Sequence, residues 1–195
     1  MVTFLRMASV FVAIVTLSLQ TSVAYAHSSE VFDPSGDLRT PAPGYYDIVH
    51  AKVTEQIGNG TFYFKIEVAE SIPDTPTDAL GNPRFVAWNW NIDAPGTALD
   101  VGVIVRYCSH TIQGPCVGDA WHWESALNTQ TGPRVNVFPF KVDGATVKAY
   151  VDTALLGGPA LTQFNWSSVS RTAPGVSGAP PVDFAPDSGL VTFIR

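Results

Sequence analysis

Two short stretches, one early in the chain and one late, concentrate oxygen donors. "FDPSGDLRTPAPGYYDIV", residues 32–49, sets Asp33, Asp37 and Asp47 among prolines and glycines, and "VDFAPDSG" offers Asp183 and Asp187 in a similar setting. Calcium takes about 6–8 oxygen ligands and accepts carboxylates mixed with backbone carbonyls, which irregular loops can present. Asp beside Pro or Gly also nucleates turns by bonding its own backbone, which is the competing explanation. The pattern does not match a helix–loop–helix calcium loop. The expectation is a calcium site built from Asp33, Asp37, Asp47 and Asp187, with Asp183 as a further donor, provided that strand pairing draws the two stretches together.

Aromatic residues interleaved with polar ones form a second constellation. In "FVAWNWNID" the side chains of Val86, Trp88, Trp90 and Ile92 share one strand face, and Asn89, Asn91 and Asp93 share the other. Trp88 and Trp90 are therefore expected in the core, with the Asn/Asp face outside and able to hydrogen-bond a sugar or solvent. In "GDAWHWES", Trp121 and Trp123 alternate with His122 and Glu124. On an edge strand the tryptophans would form a platform for pyranose C–H faces; otherwise they cap the core. The candidate ligand-binding set is Trp121, Trp123, Asn89, Asn91 and Asp93. His122 and Glu124 are near enough for acid/base work, but a solvated strand face is the plainer expectation.

Dedicated enzyme signatures are missing. The sequence holds no G-x-S-x-G elbow, H-E-x-x-H, phosphate loop or G-x-G-x-x-G fingerprint. A glycosidase needs two carboxylates across a cleft, and Glu124, Asp93 or Asp119 are the candidates under that alternative. No catalytic residue is assigned. Cys108 and Cys116, in "YCSHTIQGPCVG", are read as a disulfide; zinc with His110 lacks a fourth ligand and a familiar spacing. Asn59 and Asn165 each begin an N-x-S/T match, relevant only where the host glycosylates.

The elements that must position these residues read as strands. "TFYFKIEV" alternates strictly, with Phe62, Phe64, Ile66 and Val68 on one face and Thr61, Tyr63, Lys65 and Glu67 on the other. Asn59-Gly60 before it marks a hairpin whose partner is residues 47–55, and Asp143-Gly144 marks a second between "RVNVFPFKV" and "ATVKAYV". Further strands are expected in "RFVAWNWNID", "LDVGVIVRYC", "AWHWESAL", "TQFNWSSV" and "GLVTFI". "VDTALLGG" suits a single helical turn. Residues 71–83 and 171–189 are rich in proline and are expected to be long loops. The fold class is all-β: an antiparallel β-sandwich, jelly-roll-like, of about nine strands.

Arg6, an apolar run over residues 7–19 and the Ala24-Tyr25-Ala26 site compose a secretory signal peptide, residues 1–26, cut before His27. Residues 27–195 then form one domain, exported, with no membrane span after cleavage. A net charge of −6 argues against nucleic acid as a partner.

"DPSGD" followed by "PGYYDIVHAKV", the alternating "FYFKIEV", the "WNWNID" strand and the closing "DFAPDSG" resemble a superfamily of secreted β-sandwich modules over residues 32–195. It includes family 9 carbohydrate-binding modules, DOMON domains and the calcium-carrying C-terminal module of glucodextranases. The resemblance implies calcium near the N-terminal Asp loop, with Asp33 and Asp37 matching the acidic opening and Asp187 the closing turn, and a ligand across one sheet or loop end. Some DOMON members hold haem between Met and His; here both methionines, Met1 and Met7, fall within the signal peptide. The functional expectation is a secreted, non-catalytic module that binds carbohydrate or cell-surface glycan and carries a structural calcium. A small glycan-acting hydrolase and a surface structural protein without a small ligand are the alternatives.

Overall fold

The computed structural model describes residues 27–78, 80–94, 100–110, 116–129, 132–172 and 181–195; the expected signal peptide lies outside them. Twelve strands are present among these residues: β1 (Ser28–Phe32), β2 (Ile48–Gln56), β3 (Thr61–Val68), β4 (Val86–Asp93), β5 (Asp100–Cys108), β6 (His122–Thr129), β7 (Gly132–Val135), β8 (Phe140–Asp143), β9 (Thr146–Asp152), β10 (Gln163–Thr172), β11 (Pro181–Ala185) and β12 (Val191–Ile194). They form two antiparallel sheets, one ordered β1-β2-β3-β9-β8 and the other β11-β10-β4-β5-β6-β7, with β12 also paired to β10. The all-β sandwich expected from the alternation is what the chain forms.

Three strands escape the sequence patterns. β1 and β7 are short, and β11 lies inside the proline-rich stretch expected to be a loop. As an edge strand β11 pairs with β10 alone among the described strands and tolerates Pro181, its first residue, because a ladder at an edge leaves one side's N–H groups unused. The run "RVNVFPFKV" is not one strand: it divides into β7 and β8 around Asn136, whose φ of 53° breaks the extended path. "VDTALLGG" contains a 3-10 turn, Thr153–Leu156, capped by the Asp152 carboxylate, which accepts from the Ala154 N–H at 2.8 Å.

Both hairpins form, the second with its turn shifted by one residue and the first with a loop over residues 57–60 in place of the two-residue turn expected at Asn59-Gly60. In the second, Asp143 pairs with Thr146, so the central residues are Gly144 and Ala145, and Gly144 takes the positive φ of 56° that a II′ turn needs first. In the first, Gln56 pairs with Thr61 and the positive φ values belong to Gly58 and Gly60, leaving Asn59 in ordinary backbone space.

The core sits between the sheets. Phe62, Phe64, Ile66 and Val68 face Trp88, Trp90, Ile92 and Trp166. Phe62, Phe164 and Phe193 form an aromatic knot with centroids 4.8–5.6 Å apart. Full burial of each such ring stabilises by about 1.5–3 kcal/mol. Two polar contacts then join the layers. The Trp166 indole N–H donates to Ser29 Oγ at 2.8 Å, and the Tyr46 hydroxyl donates to the Phe85 carbonyl at 3.1 Å. At the far end of β2, Glu55 binds the Arg195 guanidinium at 2.7 and 2.9 Å and lies 3.4 Å from His27 Nδ1. Among the described residues no helix is long and apolar enough to cross a membrane.

Candidate functional site

The two acidic stretches do meet. β1 runs into Asp33, whose N–H still donates to the Val49 carbonyl at 3.1 Å, and the chain then loops out and returns through a 3-10 turn, Gly44–Tyr46, to Asp47 at the start of β2. That loop is folded about the Asp47 carboxylate, since the Gly36 N–H and the Ser35 hydroxyl donate to Oδ2 at 2.8 and 3.1 Å. The Arg39 N–H donates to the Val182 carbonyl at 2.9 Å and docks the loop on β11. β11 in turn lies against β2 and carries Asp183, whose Oδ2 accepts from the Ile48 N–H at 2.6 Å and whose Oδ1 accepts from the Phe184 N–H at 2.8 Å. Asp187 follows in the turn toward β12.

Five carboxylates from both sheets therefore share one rim. Ligand oxygens of Asp33, Asp37 and Asp187 lie within 4.8 Å of one another, as do those of Asp37, Asp47 and Asp183, so Asp37 belongs to both triads. Asp183 is fully buried and Asp47 is 3% exposed. Asp33 Oδ2, both oxygens of Asp37 and Asp47 Oδ1 are shielded from solvent and find no hydrogen-bond donor among the described residues. No Lys, Arg or His forms an ion pair with any of the five among the described residues; the Arg39 guanidinium donates to the Asp187 carbonyl at 3.3 Å and stacks on Phe184. Burial first, and then the neighbouring carboxylates, push Asp33 up to about 7. Burial likewise raises Asp183 to about 6, against the two backbone N–H groups that favour its charged form. Asp37 is also raised, mainly by burial. An all-oxygen, strongly anionic cradle with orphaned buried acceptors has the donor chemistry of a calcium site.

The expected ligand-binding set is divided by the sandwich. Asn89 and Asn91 lie on the outer face of β4, and the inner face beside them carries Trp88, on which the Trp123 ring stacks at 5.9 Å. Trp123 and Trp121 are half-buried: the Trp123 indole N–H donates to the Asp74 carbonyl at 2.9 Å, and Trp121 stacks on Tyr107 at 5.4 Å. They cap the core's end and do not share a surface with the asparagines. What lies with Asn89 and Asn91 is a shallow groove completed by Asp100, Gly102, Ile104, Asn128 and Thr129. Register sets Asn91, Gly102 and Asn128 in one cross-strand row, and the missing side chain at Gly102 makes the dip. Asp93 stands exposed at the end of β4, opposite Asp100.

Glu124 overturns the expectation of a solvated face. It is fully buried, and Arg106 holds it through Nε at 2.7 Å and through a second guanidinium nitrogen. Its Oε2 accepts from the Val117 N–H at 3.1 Å and lies 3.1 Å from His122 Nε2. The cover is a small second core of Phe85, Ala87, Cys108 and Cys116, with Ile104 and Trp121 packed on it. Cys108 and Cys116 are joined as a disulfide, so the zinc alternative falls with them. A carboxylate neutralised in this way has no lone pair or proton to offer a substrate.

Comparison of the chain with family models, with curated proteins and with solved structures finds no match.

Proposed function

We propose that this chain is an exported, non-catalytic β-sandwich module that binds carbohydrate or cell-surface glycan and carries a structural calcium at its acidic rim. One observation carries the metal: Asp47 Oδ1, deeply buried and without a partner among the described residues, stands among four further carboxylates with which none of the described cations pairs. A buried carboxylate left so is costly, and a divalent ion bound by Asp33, Asp37, Asp47, Asp183 and Asp187 removes the cost. The first three donors come with the five-stranded sheet and the last two with its partner sheet, so the ion would fasten the rim of the sandwich.

The glycan half of the proposal is supported by the groove over Asn89, Asn91, Gly102 and Asn128. Side-chain amides donate and accept together, which suits sugar hydroxyls, and the dip at Gly102 admits a ring edge. The hydrolase alternative draws no support from Glu124, which is sealed, or from Asp93, whose register partner Asp100 stands beside it on the neighbouring strand of the same sheet and not across a cleft.

The test has two arms. Thermal unfolding with calcium and with chelator should differ, and Asp47→Asn should abolish the difference. Retention on insoluble neutral polysaccharide should be lost in the Asn91→Ala/Asn128→Ala double variant with its unfolding midpoint unchanged. An identical midpoint with and without calcium would dismiss the metal, and equal retention by the double variant would dismiss the groove.

A further inference from the structure

The chain contains four lysines, Lys52, Lys65, Lys141 and Lys148, and all four stand in one line. Register sets Lys52 opposite Lys65, Lys65 opposite Lys148, and Lys148 opposite Lys141, across β2, β3, β9 and β8 on the outer face of the five-stranded sheet. Strands are about 4.8 Å apart, so the row extends roughly 14 Å. Like charges directly opposite one another destabilise a sheet, so folding gives no reason for such a row. It stands out further because the chain as a whole carries a net charge of −6.

The surroundings of the row fit a ligand with both charge and sugar character. Glu30 holds Lys52 at 3.3 Å, Glu67 holds Lys65 at 2.5 Å and Asp143 holds Lys141 at 2.6 Å, while Lys148, in the interior of the row, forms no ion pair among the described residues. Such surface pairs are weak and exchange readily for another anion. Two residues further along β3 and β9, Tyr63 and Tyr150 lie opposite each other with ring centroids 5.4 Å apart, an aromatic strip parallel to the ammonium groups. We propose that the lysine row and the adjoining tyrosine pair form a binding face for an anionic polysaccharide, whose repeated carboxylates or sulfates pair with the ammonium groups while its C–H faces rest on the rings. The acids flanking the row disfavour the denser phosphate charge of nucleic acid. This face lies on the sheet opposite the asparagine groove, and the proposal does not depend on that groove.

Affinity electrophoresis of the whole calcium-saturated chain tests it, with gels containing hyaluronate for carboxylate, dextran sulfate for sulfate, or unsubstituted dextran as the neutral control. Migration should be retarded by at least one anionic polymer, which names the anion, and not through this face by dextran; retardation should weaken as salt rises. Lys65→Gln/Lys148→Gln should lower the affinity roughly tenfold or more with an unchanged unfolding midpoint. Asn91→Ala/Asn128→Ala should leave it unaltered, which separates failure here from failure of the groove. Free migration in both anionic gels, wild-type affinity in the lysine double variant, or equal binding of a single-stranded DNA oligonucleotide would overturn the proposal.

Discussion

The molecule buries carboxylates in two places and treats them in opposite ways. Beside the disulfide, Glu124 is completely enclosed and its partners are supplied by the protein itself: Arg106, His122 and the Val117 N–H. At the acidic rim, Asp33, Asp37 and Asp47 keep shielded oxygens that nothing among the described residues satisfies. Burial alone therefore says little about function. The arrangement that closes on itself is architecture, and the one left open is where calcium is proposed.

The comparison can be broken most directly at Glu124. Replacing it by Ala strands the buried Arg106 charge and should destabilise the fold by about 3–5 kcal/mol, equally with calcium or chelator, as read from urea unfolding. An effect that depended on calcium would tie the two regions together. Next in size, calcium at 100 times its dissociation constant should stabilise the wild type by about 2.7 kcal/mol, seen as a raised midpoint over the chelated protein. Asp37→Asn should then remove most of that gain and, by relieving repulsion, raise the midpoint of the chelated protein slightly; a lowered chelated midpoint would mean that the Asp37 charge is held by the protein after all.

The smallest effect is a dependence on pH. Native Asp33 and Asp183, raised to about 7 and about 6, retain protons that the unfolded chain releases near pH 4. Their contribution to the stability of the ion-free protein is therefore fully present below about pH 4 and is lost as pH rises through 6 to 7. Calcium binding needs the deprotonated groups and follows the reverse course. The midpoint gap between calcium and chelator should thus widen from pH 5 to pH 8. The charged groups facing the site are Asp37, Asp47, Asp187 and Arg39; a gap that narrowed would show that another group governs it.

Much of this was legible in the sequence, for identifiable reasons. Strict alternation over Thr61–Val68 fixed a buried face, and the core positions of Trp88 and Trp90 followed from the same period. The oxygen donors were visible because Asp residues beside Pro and Gly are conspicuous, and the two ends meet because β11 lies against β2. β11 itself was hidden by the prolines that surround it and by Pro181 at its start, which an edge position tolerates. The burial of Glu124 is not legible because its cover is assembled from Phe85, Ala87, Cys108 and Cys116, which lie far apart in the sequence and which no local periodicity brings together. The lysine row was invisible for a related reason: it exists only in the register of four strands that are scattered along the chain.

Glu55 ties the two ends of the described chain together. It gathers His27 and Arg195 at the end of β2, while Asp47 stands just before the beginning of the same strand, so the two places are separated by its length, roughly 25–30 Å. Polypeptide entering at residue 27 and leaving at residue 195 passes through a single pole. Anything fused on either side would hang from that pole like a handle, with the carboxylate rim held at the opposite tip and the lysine-bearing flank turned sideways into the medium.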